Sequence, residues 1–158
     1  MGEPKEPDGT ELILEAGRAI RPYLTTLLGT DADRVDANLA ELLARADRSA
    51  VASAIEDVLE RDAATRQWVS AFWRIGGVPP EVVVAVYPDL DPRAAERQVR
   101  ATVLGGGGLP GDPVAALPGK RYACPRGDFA WYRLDAAEEV PECRTHRLRL
   151  VQAPKAAD

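Results

Sequence analysis

Apolar residues recur at helical spacing along most of the first hundred residues. The first stripe runs from Thr10 to Leu28 and ends at Gly29. Pro22 lies inside it, so we expect the helix to kink there or to divide in two, because proline cannot donate its backbone N–H. The residues of this stripe are Leu12, Ala16, Ile20, Tyr23, Leu24 and Leu27.

Three further stripes follow, each with a start or stop signal. Asp31 and Ser49 are predicted to cap the second and third helices, and the fourth is predicted to run from about Asp62 to Gly76-Gly77. We expect both tryptophans of the fourth helix to lie in the core. The inward-facing residues are predicted to be Val35, Leu39, Leu42 and Leu43; Ala54, Ile55, Val58 and Leu59; and Ala64, Trp68, Val69, Phe72 and Trp73.

Two more helices are predicted between Gly76-Gly77 and the glycine run that begins at Gly105. The β-branched segment Val82 to Tyr87 would allow a strand, but Pro79-Pro80-Glu81 is a better helix start. Asp91-Pro92 is a cap followed by proline at the first helical position, and its helix is predicted to reach Leu104. Residues 10–104 are therefore expected to form a compact bundle of five to seven short helices, so the fold class is mainly α.

The pattern changes after residue 119. Short alternating patches predict three or four small β-strands in residues 120–152. Such a unit buries too little apolar surface to fold alone, so we expect it to need a disulfide or a metal ion. The apolar residues of the patches are Tyr122, Phe129, Trp131, Tyr132, Leu148 and Leu150.

The boundary between the two parts is rich in glycine and proline. The run Gly105–Gly108 has too much backbone entropy to continue a helix, and the prolines after it remove backbone donors. We therefore predict a linker over residues 105–119. Residues 1–9 and 153–158 are predicted to be disordered ends.

Composition and charge limit the function classes. The chain has 158 residues, of which 46% are hydrophobic, and its net charge is −5. An apolar run of about 18 residues would be needed for a membrane span, and none is present; the acidic start is unlike a secretory signal. We therefore expect a cytoplasmic protein without membrane attachment. The acidic balance argues against general nucleic-acid binding.

The helical part offers no recognisable catalytic set. It contains neither cysteine nor histidine, and its glycine run follows a helix and lacks the Gly-Lys-Ser/Thr of a phosphate loop. Its carboxylates fall mainly opposite the apolar stripes, which indicates a solvated surface. We predict no catalytic residues and interpret the bundle as a binding surface. The carboxylates are Glu41, Glu56, Asp57, Glu60 and Asp62.

Both cysteines and the single histidine lie after residue 119. Cys143-x-x-His146 has the spacing of half a tetrahedral zinc site, and Cys124-Pro-Arg-Gly127 has the proline and glycine of a second knuckle. Because glycine stands where a second cysteine is usual, Asp128 is the expected fourth ligand. The sequence therefore predicts a structural Zn²⁺ bound by Cys124, Asp128, Cys143 and His146.

Three alternatives to that ligand set remain open. The cysteines could form a Cys124–Cys143 disulfide, which a reducing compartment disfavours, or they could be free and inert. If Asp128 does not bind, water could occupy the fourth position and make the metal catalytic. Arg126, Arg144 and Arg147 flank the site and are expected to offset its negative charge.

The pattern Cys-Pro-x-Gly-Asp-aromatic-x-Trp-Tyr, followed by Pro-x-Cys-x-Thr-His, resembles a short C-terminal zinc-binding module of uncharacterised actinobacterial proteins. This resemblance implies a zinc-ribbon-like module and a metal ion, and no activity. More loosely, the helical part is similar to effector-associated or death-like adaptor domains, which recruit partners in bacterial signalling and conflict systems. The matching residues are Cys124, Pro125, Gly127, Asp128, Phe129, Trp131, Tyr132, Pro141, Cys143, Thr145 and His146.

These expectations favour a non-enzymatic adaptor. Residues 1–119 carry a net charge of −7 and residues 120–158 a net of +2, so the bundle is expected to bind a protein with a basic patch. One alternative is a nucleic-acid-binding regulator that stacks bases on the aromatic residues of the basic tail. Another is a zinc-dependent hydrolase with an open coordination position. Cys143→Ser is expected to unfold the tail while the bundle keeps its helical signal.

Overall fold

Helices occupy the chain from Gly9 to Gly105, and a small antiparallel sheet follows. This architecture is seen in a computed structural model that describes residues 8–105, 120–134 and 137–153, and it confirms the predicted fold class. Most of the predicted linker over residues 105–119 and of the predicted disordered ends, 1–9 and 153–158, lies outside the described residues. Of the rest, Gly9 and Gly105 belong to α1 and α7, and the Ala153 amide donates to the Arg121 carbonyl. The elements are α1 Gly9–Ile20, α2 Leu24–Leu28, α3 Ala32–Leu43, α4 Arg48–Glu60, α5 Ala63–Ile75, α6 Pro80–Val86, α7 Pro92–Gly105, β1 Arg121–Ala123, β2 Ala130–Tyr132 and β3 Val151–Gln152.

Pro22 divides the first predicted helix. A 3₁₀ turn, Arg21–Tyr23, stands between α1 and α2 with the proline in its first half, because proline lacks the N–H that would continue the α-helical hydrogen bonds of α1. Gly29 ends α2 with a φ of 59°, a conformation that glycine adopts at little cost. The sequence prediction of a break at Pro22 is thus confirmed.

The start of α4 differs from the prediction. Its N-cap is Asp47, whose carboxylate accepts a hydrogen bond from the Ala50 amide at 3.2 Å, whereas Ser49 lies one residue inside the helix. Asp31 precedes α3 without a capping hydrogen bond. Asp62 and Asp91 do cap α5 and α7, since each accepts backbone N–H groups of the first turn.

The segment after Pro79 is helical, as predicted, and forms α6. Among the described residues no single helix is long and apolar enough to cross a membrane, although α5 and α6, which meet at a bend of 63°, satisfy that test by length and composition when taken together.

Helix α1 is the centre of the bundle and packs against α3, α4 and α5. Its approach to α4 is close: a Cβ atom on Gly17 would lie 3.1 Å from Cγ2 of Ile55, so a larger side chain would require the Ile55 side chain to shift by a few tenths of an ångström. Ile20, Leu24 and Phe72 are fully buried in the core formed by these helices.

The two tryptophans of α5 have different surroundings. Trp68 is 4% exposed and stacks on Phe72 with ring centroids 5.1 Å apart, and its indole N–H donates to the Glu81 carboxylate at 3.0 Å. Trp73 is 42% exposed, so the prediction that it lies in the core is wrong. The neighbouring helices therefore cover only part of the apolar stripe of α5, and Trp73 lies in the part that stays exposed.

The sheet has the strand order β2-β1-β3, with both pairings antiparallel. Tyr122 pairs with Trp131 across β1 and β2, and their rings lie 5.9 Å apart. An isolated bridge between Glu142 and Arg149 begins the return of the chain toward β3. We refer to residues 120–152 as the tail module, keeping the boundaries predicted from the sequence.

Candidate metal centre

The first ligand-bearing turn connects β1 to β2. The Cys124 amide donates to the Phe129 carbonyl at 2.9 Å, and the Gly127 amide donates to the Cys124 carbonyl at 2.8 Å. Gly127 has a φ of 79°, which turns the chain so that Asp128 comes back beside Cys124. The Arg126 amide lies 3.4 Å from the Cys124 sulfur and donates to it, as backbone amides do in metal knuckles.

The second turn begins at Cys143. Its amide donates to the Leu148 carbonyl at 2.9 Å, and the Arg147 amide donates to the Cys143 carbonyl at 2.7 Å. Arg147 adopts a φ of 52°, so the turn closes through a left-handed residue that is not glycine. This tight turn places Cys143 and His146 on the same side of the chain.

The two turns bring all four predicted ligands together. Cys124, Asp128, Cys143 and His146 each offer one ligand atom, and these atoms lie within 4.8 Å of one another. His146 Nδ1 is 3.6 Å from the Cys124 sulfur, 3.8 Å from the Cys143 sulfur and 3.3 Å from Asp128 Oδ2. The Cys143 sulfur is 3.7 Å from Asp128 Oδ1. Both cysteines are free thiols, without a disulfide between them.

These separations match the edges of a metal-sized tetrahedron. Zinc bonds of about 2.3 Å to sulfur and about 2.0–2.1 Å to nitrogen or oxygen, set at tetrahedral angles, separate neighbouring ligand atoms by roughly 3.3–3.8 Å. His146 Nδ1 lies 3.3–3.8 Å from both sulfurs and from Asp128 Oδ2, and the Cys143 sulfur lies 3.7 Å from the other carboxylate oxygen, Asp128 Oδ1. The cluster can therefore hold a four-coordinate cation.

Burial makes a cation favourable in this cluster. Cys124, Asp128 and Cys143 are at most 3% exposed, and the buried Asp128 Oδ2 accepts no hydrogen bond. Burial raises the pKa of the Cys124 thiol to about 12, and Cys143 and Asp128 raise it as well, against the lowering effect of the Arg126 amide. A cation among these groups would supply the opposite charge that stabilises thiolate and carboxylate.

Arg21, at the end of α1, is the buried cation beside the cluster. Its side chain is fully buried; it donates to the Asp128 carbonyl at 2.6 Å and to the Thr145 hydroxyl at 2.7 Å, and its guanidinium lies 3.4 Å from Asp128 Oδ2. Asp36 accepts two further hydrogen bonds from it. Burial alone lowers the pKa of Arg21, but Asp36, Asp128 and Cys143 together raise it above its ordinary value.

Two other α1 side chains bind the tail module. Glu15 accepts both arms of the Arg121 guanidinium, at 2.7 and 2.9 Å, and also the Tyr132 hydroxyl at 3.1 Å. Arg18 donates to the Gly127 carbonyl at 2.8 Å. Tyr132 is 1% exposed and belongs to the same buried cluster as the core of the bundle. We call this line of contacts the α1 seam; it consists of Glu15 and Arg18 of α1 and of Arg21, which directly follows α1.

Sequence reasoning missed this seam. It assigned charge compensation to Arg126, Arg144 and Arg147, which are all exposed in the structure. A signal for Arg21 was present, because Leu14, Gly17, Arg21 and Leu24 recur at helical spacing and the other three are small or apolar. A charged residue in such a stripe needs a buried partner.

No family model, curated protein or solved structure matches this chain. The likeness to actinobacterial zinc modules and to adaptor domains therefore stays a prediction that depends on the residues quoted for it.

Proposed function

We propose that this chain is a non-enzymatic interaction protein whose tail module is held in place by a structural Zn²⁺. The observation that carries the metal assignment is the set of donor-atom separations at Cys124, Asp128, Cys143 and His146, which suits a tetrahedral ion. Two sulfur, one nitrogen and one oxygen donor are a combination that favours zinc over magnesium or calcium.

A structural role is supported by the closure of the ligand shell. Four side chains of this chain provide four ligands, so no position is left for a substrate or a reacting water. Only the His146 side chain is substantially exposed, at 28%. This arrangement argues against the zinc-dependent hydrolase, which needs an open coordination position.

The aromatic residues of the tail module do not favour the nucleic-acid alternative. Tyr132 is buried against α1, and Tyr122 and Trp131 pack on each other while partly buried. Base stacking requires aromatic faces that are open to solvent.

An interaction role is supported by an apolar groove on the bundle. Trp73, Val69 and Leu59 line a cavity of about 360 Å³ between α4 and α5, and Glu56, Glu60 and Arg66 form its rim. An exposed tryptophan in a rimmed apolar groove is typical of a binding hot spot. The two glutamates favour a partner that inserts an apolar side chain and carries basic residues beside it.

The metal assignment is tested by elemental analysis of protein purified without a metal-affinity column. We expect one zinc per chain, and a competing chelator should remove it most easily from Cys143→Ser. Asp128→Ala should weaken binding less than Cys143→Ser, because water can replace a carboxylate ligand. Equal zinc affinity in wild type and Asp128→Ala would remove Asp128 from the ligand set, and absence of zinc from the wild type would overturn the assignment.

The interaction role is tested by affinity capture from source cells with wild type, Trp73→Asp and Leu90→Asp. Leu90 is 45% exposed and is not among the residues that line the groove, so it is the matched control. We expect a protein that is captured by wild type and Leu90→Asp and is lost with Trp73→Asp. If no captured protein depends on Trp73, the groove is not the binding surface.

A further inference from the structure

A second cleft, on the other side of α5, has the opposite charge from the rest of the bundle. It lies between α5 and α7, has a volume of about 480 Å³, and is lined by four arginines and one glutamate. The segment that contains it, residues 1–119, carries a net charge of −7. The lining residues are Arg74, Arg93, Glu96, Arg97 and Arg100.

One arginine of this arginine cleft is held in a fixed position. Arg74 binds Glu96 through two hydrogen bonds of 2.8 Å, a bidentate pairing that fixes the guanidinium group. This pairing raises the pKa of Arg74 and, with Arg93 also nearby, lowers the pKa of Glu96. The single carboxylate of Glu96 offsets one of the four arginine charges, so the lining of the cleft keeps a net charge of about +3.

The arginines of α7 form a row. Arg93, Arg97 and Arg100 recur at spacings of four and three residues, which places them on one helix face over about 10 Å. Within the described part of the chain, Arg97 and Arg100 have no ion pair, whereas Arg34, Arg45 and Arg48 each pair with a carboxylate. Like charges at these spacings destabilise a helix, so an anionic ligand would relieve the repulsion.

We propose that the arginine cleft binds an oligophosphate group, such as the triphosphate of a nucleotide or a short free polyphosphate. Guanidinium groups match phosphate oxygens through paired hydrogen bonds. A single phosphate is too small to reach arginines along the whole row. A long polyanion would extend beyond the cleft over a segment whose net charge is −7, whereas a short and densely charged group contacts the arginines alone.

Isothermal titration of the full chain with tripolyphosphate, ATP, AMP and hexaglutamate tests the proposal, at 50 and 150 mM NaCl. Wild type is expected to bind tripolyphosphate and ATP at least tenfold more tightly than AMP, and more weakly at the higher salt concentration. A preference between the first two ligands distinguishes free polyphosphate from a nucleotide. Metal content is measured after each titration, because oligophosphates also bind divalent cations.

The matched variants carry two charge reversals each. Arg97→Glu/Arg100→Glu is expected to weaken binding more than tenfold, while Arg34→Glu/Arg45→Glu, with Arg34 on α3 and Arg45 just after it, should change it less than twofold. Equal loss in both variants, or no loss in the first, overturns the proposal. So does displacement by sulfate at matched ionic strength, which would indicate adventitious anion binding only, or tighter binding of hexaglutamate, which would assign the cleft to an acidic peptide.

Discussion

Arg21 shows how one side chain connects three parts of this molecule. It contacts Asp36 of α3, Asp128 of the first turn and Thr145 of the second turn, and it has no exposed surface. If zinc is bound by two thiolates and a carboxylate, the centre has a net charge of −1, which the guanidinium offsets. We therefore predict that Arg21 positions the candidate metal site although it is not a ligand.

Arg21→Met tests that role. It leaves Asp36 and Asp128 without their cation, and breaking a buried ion pair in this way costs about 3–5 kcal/mol of unfolding free energy. Urea denaturation measures the loss, and chelator competition should show weaker zinc binding. Arg34→Met, which breaks an exposed pair with Asp31, should change stability by less than about 0.5 kcal/mol.

A second variant keeps this test informative if Arg21→Met fails to fold. Arg21→Lys retains the charge but not the planar fork that reaches Asp36, Asp128 and Thr145 together, so we expect intermediate stability and zinc affinity. Wild-type zinc affinity in Arg21→Lys would show that charge alone is sufficient and would contradict the positioning role.

Glu81 and Glu96 should respond to pH in opposite directions. Burial raises the pKa of Glu81 above 4.5, although its own backbone amide and the Trp68 indole lower it. The folded state therefore binds the Glu81 proton more tightly than the unfolded state does. As pH rises through the folded pKa, Glu81 ionises in its buried position, and the free energy of unfolding falls. Glu81→Gln should be more stable than wild type at pH 7 and nearly equal to it below pH 4.5.

Glu96→Gln is the control variant, because its change in stability at pH 7 should have the opposite sign from that of Glu81→Gln. The hydrogen bond from Arg74 lowers the pKa of Glu96, so its contribution is present above pH 4.5 and is lost as pH falls through its folded pKa. Glu96→Gln should therefore be less stable than wild type at pH 7. Urea midpoints of both variants at pH 7 and pH 4 measure these differences, and the same sign for both variants would contradict the assignment.

Single residues were the hardest feature to predict from the sequence. The knuckle spacing selected four residues that the structure brings together, because each turn is local and depends on neighbouring residues; these are Cys124, Asp128, Cys143 and His146. The partner of Asp128 is 107 residues away, and no local pattern specifies such a contact. Trp73 was wrongly predicted to lie in the core, because the apolar stripe of a helix does not show how much of that stripe the neighbouring helices cover.

At the scale of elements, periodicity predicted helices well and their first residues less well. Helical spacing depends on which residues face the core, and that repeats over many positions. A cap depends on a single hydrogen bond, for which several nearby polar residues compete. At the start of α4 both Asp47 and Ser49 are suitable types, and the chain uses Asp47.

Asp47→Ala and Ser49→Ala test this cap. The first removes the acceptor of the Ala50 amide and should lower the unfolding free energy by about 1 kcal/mol. The second removes a hydroxyl from an exposed position inside the helix and should change it by less than about 0.5 kcal/mol. Urea denaturation at pH 7 compares the two variants. A larger loss of unfolding free energy for Ser49→Ala would show that Ser49, and not Asp47, caps the helix.

At the scale of the whole molecule, the α1 seam changes what metal removal should do. The sequence alone predicts that Cys143→Ser unfolds only the tail module. In the structure Tyr132 completes the core of the bundle, and Glu15 and Arg21 find partners in the tail module. Loss of the tail module would therefore expose part of that core and weaken the bundle as well.

We expect Cys143→Ser to keep most of its helical signal at 20 °C and to melt at a lower temperature than wild type. Each kcal/mol lost should lower the melting temperature by roughly 4–8 °C. Circular dichroism at 222 nm measures the melting, and a chelator added to wild type should reproduce the shift. An unchanged melting temperature would mean that the bundle is independent of the tail module.

The length of chain between the two sides of the α1 seam also affects the order of events during synthesis. Glu15 meets Arg121, 106 residues later, and Arg21 meets Asp128, 107 residues later. At about 5–20 residues per second, a ribosome needs roughly 5–20 s to make that interval. During this time Glu15 and Arg21 lack their partners in the tail module, and only Arg18 and Asp36 are present to pair with them. A cation can be captured only after His146 has left the ribosome, when the helices have already been free to fold.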